Sequence, residues 1–461
     1  MKQSLSLLFL SCLFSCAIAS LQAQTDSVML RKIYDEVLLN GKAYQNLEEL
    51  VVGIGSRLTG SPAAEKAVAW TERKMKEAGA DTVWLQEVWV PHWVRGEKET
   101  GMIAAPGSKK QPVPVTALGM SVATPKQGIE AEVVEVHDYD ELKKLGAEGK
   151  IRGKIVFYNH PFDQRFVNTM EAYGEAGKYR YIGASEAARQ GAVASIVRSM
   201  SSSDNDYPHT GAQHYNDSLP KIPCAAISTN GANLLSKTIK SHPGTKFFLK
   251  QSCQLLDSMI SHNVIGEIRG SEIPSEIFVL GGHLDSWDTG KGAHDDGAGV
   301  VQTIEVIRTL KALGIRPKRT VRFVAFMNEE NGLKGGRKYA AEALRKNENH
   351  IAAMESDAGG FIPNGFGLNM KPELKPKIRQ WAPLFLPYNI WSWDGDGDGA
   401  DISPLTDGGK VPGIGLQVDS QRYFDVHHAK TDVFENVNKR ELHLGAAAMA
   451  ALTYLICTYG L

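Results

Sequence analysis

The sequence predicts an α/β protein with a largely parallel, mixed β-sheet and helices on both faces of that sheet. Two observations carry this prediction. After residue 263, apolar runs of strand length alternate strictly with longer stretches whose apolar residues recur at helical spacing. The chain has 461 residues, of which 43% are hydrophobic and 22% charged, so it can build two or three domains around large cores. Strict alternation of strands and helices along the chain is typical of a parallel sheet that helices cover on both faces.

The elements of the second half are the most regular. Each predicted strand is a short apolar run, and each predicted helix is longer and amphipathic. We predict strands at residues 276–281, 320–327, 351–357 and 413–418, and helices at residues 297–313, 335–347, 372–386 and 439–459.

The first half of the chain has a different pattern of predicted helices and strands. Residues 27–78 are predicted to be helical around a glycine-punctuated loop at 53–62, and residues 83–90 alternate like a strand. Short β-rich runs follow, and the polar segment 201–217 is predicted to be an exposed loop. We divide the chain into a signal peptide (1–23), the first part of the main domain (24–105), an inserted β-rich domain (106–262) and the second part of the main domain (263–461).

The N-terminus predicts export. Met1-Lys2-Gln3 is a short basic start, Leu5 to Leu13 is almost wholly apolar, and small residues follow, as in a secretory signal peptide. A lipoprotein anchor at Cys16 is the alternative. No later segment reaches about eighteen unbroken apolar residues, so we predict no membrane span. The formal net charge of -1 gives no indication of a nucleic-acid partner.

Three cysteines remain after removal of the signal peptide, which is too few for a disulfide framework in a chain of this size. Cys457 lies in an apolar run and is predicted to be a core residue. Cys224 and Cys253 are able to pair in an oxidising compartment, and the sequence leaves this open.

Histidine and acidic residues stand at the ends of several predicted strands. His283 follows one apolar run, Glu329 and Glu330 follow the next, and Asp357 follows the third. Because sites in open α/β sheets form at the carboxyl ends of the strands, we expect these side chains to converge. Two further candidates come from loops, which are Asp295 at the start of a helix and His428 in a late turn.

The candidate ligands are imidazoles and carboxylates without thiolates. This set suits zinc, with cobalt or manganese as alternatives, in a catalytic rather than a structural site. Two nearby metal ions can share a bridging carboxylate. Asp285, two residues after His283, is predicted to accept the imidazole N–H and to fix its tautomer. Of the adjacent Glu329 and Glu330, one can bind metal while the other acts as a general base.

The successive motifs GGHLDS, GAHDDGAG, NEENG, ESDAGG and HHAKTD resemble those of the co-catalytic zinc exopeptidases. Their spacing is most similar to the branch that contains plasma glutamate carboxypeptidase, and the resemblance covers the mature chain. It implies the zinc-exopeptidase fold with a protease-associated domain as the insertion. It also implies two Zn²⁺ ions bridged by Asp295, with His283 and Asp357 completing one site and Glu330 and His428 the other. Glu329 would be the general base.

The resemblance disfavours two histidines beside the candidate ligands as metal ligands. His294 precedes Asp295, where the family motif varies, so a surface or supporting position is favoured. The histidine of the last family motif stands four residues before an aspartate, which selects His428 with Asp432 over His427.

The function that these observations predict is a secreted or periplasmic metallo-exopeptidase. It would hydrolyse dipeptides or short peptides with metal-activated water and a glutamate base. An aminopeptidase acting on longer peptides is one alternative, and a non-catalytic binding protein on the same scaffold is another. The predicted partner is a small peptide substrate, and the resemblance leaves a homodimer open.

Overall fold

The computed structural model describes residues 24–395, 397 and 399–461. The predicted signal peptide, residues 1–23, lies outside the described residues. Within the described part the strands are β1 (Thr82–Val94), β2 (Thr100–Ala104), β3 (Gln111–Val113), β4 (Val115–Ala117), β5 (Ile129–Val136), β6 (Ile155–Tyr158), β7 (Ala194–Arg198), β8 (Cys224–Ile227), β9 (Lys246–Lys250), β10 (Gln254–Ile268), β11 (Ile273–His283), β12 (Arg319–Phe326), β13 (Asn349–Glu355), β14 (Pro363–Asn369) and β15 (Gly413–Val418).

Helices separate many of these strands. They are α1 (24–40), α2 (Ala43–Glu48), α3 (Pro62–Ala78), α4 (Tyr139–Ala147), α5 (Thr169–Tyr181), α6 (Gly183–Arg189), α7 (Thr229–Ser241), α8 (Ala298–Ala312), α9 (Lys334–Arg345), α10 (Lys375–Arg379), α11 (Ala382–Phe385), α12 (Ser403–Thr406), α13 (Tyr423–Val426) and α14 (Lys439–Tyr459). Helix α2 continues into a wider turn at Glu49–Ile54, and a similar turn at Ala293–Gly297 precedes α8.

The larger sheet has seven strands in the order β1-β10-β12-β11-β13-β15-β14. Its four central strands, β12, β11, β13 and β15, are parallel, whereas β1, β10 and β14 pair antiparallel at the two edges. The predicted α/β class is therefore confirmed, and the sheet is mixed around a parallel centre. The carboxyl ends of the four central strands lie along one edge of the sheet, where an α/β site is expected.

The smaller sheet has eight strands in the order β3-β2-β9-β5-β6-β7-β8-β4. All of these strands lie between residues 100 and 250, and β5, β6, β7 and β8 form a parallel centre. Their apolar side chains form two hydrophobic clusters separate from the main one. The region that the sequence predicts as an insertion thus builds its own sheet, while its limits at 106 and 262 stay a prediction.

The structure corrects two predicted elements. The helix predicted at 372–386 is divided into α10, α11 and a further turn, each of which has a proline as its second residue. Proline lacks the N–H that a helix interior needs, so it starts helices and does not continue them. The segment 201–217 is not an exposed loop throughout, because His209, Thr210 and Gln213 are buried. Its backbone bonds to Gly119 and His428, which draws it inward.

The core of the larger sheet includes α8 and α14. Helix α14 has a mean hydropathy of 1.4 over its most apolar part and is long enough, by length and composition, to cross a membrane. The prediction of no membrane span is therefore contradicted, because it considered only unbroken apolar runs and not the mean hydropathy of a whole helix. In the structure 78% of this apolar stretch is buried. Burial of α14 between the larger sheet and α8 also explains why this helix is so apolar.

Close packing between α8 and the strand ends gives a test of the fold. A Cβ atom added at Gly299 would collide with the carbonyl oxygen of Ser356 and with the carboxylate of Asp296. We expect Gly299→Ala to lower the free energy of unfolding by about 1–3 kcal/mol through overpacking. Gly174 in α5 has open space around it, so Gly174→Ala should raise stability by about 0.5–1 kcal/mol. Thermal and urea unfolding of both variants measure the contrast, and equal effects would contradict the packing.

Candidate metal centre

The predicted site residues come together at the carboxyl edge of the larger sheet. His283 is the last residue of β11, Glu329 and Glu330 follow β12, and Asp357 follows β13. Asp295 enters from the turn before α8 and His428 from the turn after α13. His283, Asp295, Glu330 and His428 are all buried, whereas Glu329 and Asp357 are half-buried.

Asp295 lies at the centre of this group. Its Oδ1 atom is 3.1 Å from Nε2 of His283, and its Oδ2 atom is 3.2 Å from Nε2 of His428. The two imidazoles therefore face different oxygens of one carboxylate. Oδ2 is buried and has no hydrogen bond in the described structure. A buried carboxylate oxygen without a donor is costly unless a cation binds it.

Each imidazole faces one more carboxylate. Asp357 Oδ1 is 3.3 Å from Nε2 of His283, and Glu330 Oε2 is 3.2 Å from Nε2 of His428. These distances are compatible with two sets that share Asp295, but the pairing stays a prediction, because His283 also groups closely with Asp295 and Glu330, and with Asp296 and Asp357. The five side chains fit two cations, because each set offers one imidazole and two carboxylates around a common space.

Backbone carbonyls set the tautomers of both histidines. Nδ1 of His283 lies 3.0 Å from the carbonyl oxygen of Asp285, and Nδ1 of His428 lies 3.2 Å from that of Thr210. Because a carbonyl oxygen only accepts hydrogen bonds, each Nδ1 carries the proton. Each Nε2 then directs its lone pair toward the shared space, as a metal ligand requires.

Asp285 has a different partner from the one predicted. Its backbone carbonyl, not its carboxylate, meets the imidazole of His283, and the nearest carboxylate oxygen is 3.9 Å from Nδ1. The carboxylate instead accepts hydrogen bonds from the backbone N–H groups of Asn328, Glu329 and Glu330 at 2.7, 3.0 and 3.3 Å. It also accepts one from the Thr59 hydroxyl at 2.8 Å. Asp285 therefore holds the turn that presents both glutamates.

Burial dominates the electrostatics of the site. It raises the pKa of Glu329 to about 8, and the neighbouring carboxylates of Asp357 and Asp295 add to that rise. Burial likewise raises the pKa of Glu330 and Asp357. Burial also opposes ionisation of Asp295, but contacts with the two histidines outweigh it and lower the pKa. A group of buried carboxylates that resists joint ionisation is the environment that a divalent cation stabilises.

The two neighbouring histidines occupy different places. His294 stacks on Phe361 at a centroid distance of 4.2 Å, and its Nδ1 accepts the N–H of Gly360. His427 is closer to the centre, because its ring stacks on His428 at 3.5 Å and its Nε2 is 3.8 Å from Asp295. His428 approaches Asp295 more closely than His427 does, but both histidines lie close enough to Asp295 to share a cation with it, so the choice between them stays a prediction.

Several supporting residues are not among the predicted site residues. Asp432 accepts the backbone N–H groups of His294 and Asp295 at 2.7 and 3.1 Å, which holds the turn carrying the central carboxylate. Asp296 accepts the N–H of His283 at 3.0 Å. Asp432 was visible in sequence only as a motif position, and Asp296 only as the neighbour of Asp295.

Arg57 joins the loops around the centre. Its guanidinium is fully buried and donates to the carbonyl oxygens of Leu284, Lys291 and Gly292 at 2.8, 2.8 and 2.9 Å. A fourth bond reaches Gly55 at 3.1 Å. Burial lowers the pKa of Arg57 to about 10, although nearby acids oppose this shift. The only sequence signal for Arg57 is its position in the glycine-punctuated loop.

A cavity of about 1200 Å³ opens onto the centre. Asp295, Glu329, Glu330, Asp357 and His428 all contribute to its wall. Residues from the smaller-sheet region, among them Tyr173 and Arg180 of α5, line another part of it. Both parts of the chain therefore enclose the space in which a ligand would meet the candidate metal ligands.

Comparison with known proteins identifies relatives across nearly the whole chain. The sequence profile of peptidase family M28 matches residues 263–453. Carboxypeptidase Q from Homo sapiens is 37% identical over 417 residues, which are 90% of this chain and 85% of that protein. Carboxypeptidase Q from Xenopus laevis is 38% identical over 426 residues, with 91% and 88% covered.

Solved structures agree with these sequence relationships. A peptidase M28 precursor from Shewanella amazonensis SB2B superposes with a TM-score of 0.88 at 32% identity, covering 94% of this chain and 97% of that one. BSAP, a zinc aminopeptidase from Bacillus subtilis, superposes with a TM-score of 0.62 at 19% identity, covering 90% and 94%. The second comparison shows a shared fold.

Removal of the Arg57 guanidinium tests the loop framework. Arg57→Met would leave four carbonyl oxygens without their donor, so we expect a loss of at least about 3 kcal/mol of stability. The matched control is Arg189→Met, because Arg189 is exposed and pairs with Glu186 at 3.3 Å. That control should change stability by less than about 0.5 kcal/mol. Unfolding in urea gives both values, and similar losses in the two variants would contradict the structural role of Arg57.

Proposed function

The chain belongs to peptidase family M28 and is a metallopeptidase, and we propose that it is a two-zinc exopeptidase that hydrolyses dipeptides or short peptides. The observation that carries this proposal is the position of Asp295, whose two oxygens face two different histidines. A single carboxylate between two such sets is the arrangement expected of a bridging ligand.

The proposed ligands follow from the distances. His283, Asp357 and Asp295 would hold one zinc ion, and His428, Glu330 and Asp295 would hold the other. The uncovered Oδ2 atom of Asp295 and the proton-free Nε2 atoms of both histidines support this assignment. When bound, zinc supplies Lewis acidity to the scissile carbonyl and increases the acidity of water at the site.

Glu329 is the proposed general base. Its carboxylate lines the cavity beside both ligand sets and is held on the turn that Asp285 fixes. From this position it would take a proton from the attacking water and deliver it to the amine that leaves. The raised pKa of about 8 favours holding a proton between these two steps, and bound cations would lower that pKa.

The exopeptidase class draws on the relatives, which are named as a carboxypeptidase and a zinc aminopeptidase. Part of the cavity wall comes from the smaller-sheet region, which we propose to be a protease-associated domain. The composition of residues 1–23 supports export, to the periplasm or the exterior. A non-catalytic binding protein on this scaffold is disfavoured, because the candidate base and both ligand sets are present.

Substitution of the proposed base is the direct test of function. We expect Glu329→Gln to lower kcat on a dipeptide by about a hundredfold to ten-thousandfold, because the amide cannot accept the proton. Zinc content should remain close to that of the wild type, since Glu329 is not a proposed ligand. Glu373→Gln, at an exposed site, is the control and should retain full activity. Normal hydrolysis by Glu329→Gln would exclude Glu329 as the base.

Metal analysis tests the two-ion assignment separately. We expect two zinc ions per chain in protein purified without chelator, and loss of activity and of thermal stability after treatment with 1,10-phenanthroline. Asp357→Ala should remove one ion, whereas Asp295→Ala should weaken both. Elemental analysis with thermal unfolding gives these values. A wild-type protein that binds a single ion, or none even after zinc is added, would contradict the assignment.

A further inference from the structure

Arg95 joins the two parts of the chain. It directly follows β1, at the point where the chain passes from the larger sheet to the smaller one, and 13% of its side chain is exposed. Its Nε and Nη2 atoms donate to the two carboxylate oxygens of Asp288, in the loop after β11, at 2.9 and 2.6 Å. A paired contact of this kind fixes the plane of the guanidinium as well as its position.

The rest of the guanidinium contacts the smaller-sheet region. Nη1 donates to the carbonyl oxygen of Ala117 at 2.7 Å, and the Thr116 hydroxyl and Glu99 lie 2.8 and 3.1 Å from the same atom. Nη2 also donates to the hydroxyl of Thr210 at 3.4 Å, and that hydroxyl donates to the carbonyl oxygen of Ala117 at 2.8 Å. Arg95 and Ala117 therefore hold the side chain of Thr210 from two sides, and Thr210 is completely buried.

Thr210 in turn holds His428, one of the candidate metal ligands. The N–H group of Thr210 donates to the carbonyl oxygen of His428 at 3.0 Å, and the Nδ1 atom of His428 lies 3.2 Å from the carbonyl oxygen of Thr210. These two bonds connect both the backbone and the imidazole of His428 to one residue. The backbone of His428 has a φ of 60°, in the left-handed region that residues other than glycine seldom adopt, so surrounding contacts have to keep it there.

The other candidate histidine is held differently. Nδ1 of His283 meets the carbonyl oxygen of Asp285, two residues further along the same loop. His283 is itself the last residue of β11, so its backbone belongs to the larger sheet. Loss of the contacts that Arg95 makes would therefore disturb His428 and leave His283 in place.

We propose that Arg95 is a positioning residue for His428, so that docking of the smaller-sheet region through Thr210 sets the affinity for one of the two zinc ions and leaves the other unchanged. This inference rests on the proposed two-zinc function and adds its dependence on the smaller-sheet region. Loss of a group that orients a metal-binding imidazole typically weakens metal binding about ten- to a hundredfold. Because coupling between two binding events is reciprocal, zinc also stabilises the docked position of Thr210.

Variants that keep a single zinc ion separate the two sites. Asp357→Ala protein retains the ion that we assign to His428 and Glu330. Glu330→Ala protein retains the ion that we assign to His283 and Asp357. We expect Arg95→Met to raise the Kd of zinc about ten- to a hundredfold in Asp357→Ala protein and to leave it unchanged in Glu330→Ala protein. Competition with a chromophoric chelator measures both values.

Arg308→Met is the matched control. Arg308 is an arginine of similar burial, with 19% of its side chain exposed, and it bridges the carboxylates of Glu36 and Glu305 at 2.7 Å each. Its loss removes as many ion pairs from the larger part of the chain without touching Thr210. The Kd of zinc should therefore stay the same in both single-ion proteins.

Thr210→Val is a milder version of the same test, and it keeps the test available if Arg95→Met does not fold. Valine has the shape of threonine without the hydroxyl, so the backbone bonds to His428 remain. We expect the Kd of zinc in Asp357→Ala protein to rise about two- to tenfold. Unchanged affinity in both the Arg95 and the Thr210 variants would overturn the proposal, as would an equal loss of affinity in Asp357→Ala and Glu330→Ala protein.

Failure of the two-zinc function gives a different result, because the wild type would then bind fewer than two ions. Hydrogen–deuterium exchange still tests Arg95, since the N–H group of Thr210 bonds to the backbone carbonyl of His428 and not to a metal-binding atom. We expect peptides that contain Thr210 to exchange faster in Arg95→Met protein than in the wild type or in Arg308→Met protein. Equal exchange in the two arginine variants would overturn the positioning role of Arg95 independently of metal content.

Discussion

One buried carboxylate, Asp295, sets the requirements that the rest of the site meets. Its two oxygens face the imidazoles of His283 and His428, and one of those oxygens has no hydrogen bond in the described structure. That oxygen is buried from water, so a bound cation would stabilise its charge. The same cation would stabilise the charged carboxylates of Asp357 and Glu330, whose pKa values burial otherwise raises.

A framework of long-range hydrogen bonds keeps these acids together despite their mutual repulsion. Arg57 connects the loops after β11 through their backbone carbonyls, and Asp285 holds the glutamate turn after β12. Asp432 holds the turn that carries Asp295. The framework uses backbone groups, whose positions follow from the fold. These hydrogen bonds therefore fix the candidate ligands independently of any cation, which would reduce the reorganisation that cation binding requires.

Two parts of the chain line the cavity beside the candidate metal centre. The strand ends of the larger sheet supply the candidate ligands and base, whereas α5 and segment 201–217 contribute Arg180 and Gln213 to the cavity wall. Because His428 contacts both Thr210 and the neighbourhood of Arg180, the two parts meet at one imidazole. A substitution in the smaller-sheet region can therefore alter the cavity wall without any change in the candidate metal ligands.

Local sequence patterns by themselves determined the α/β class, the central strands and helix α14, because apolar periodicity reports which face of an element is buried. They also placed His283, the two glutamates and Asp357 at strand ends, which was enough to expect convergence. Only the tertiary structure decided that the carboxylate of Asp285 holds the glutamate turn, that Arg57 joins four carbonyls, and that part of segment 201–217 is buried. Each of these features depends on groups that are distant in the chain, and the periodicity of apolar residues does not indicate which distant groups come into contact.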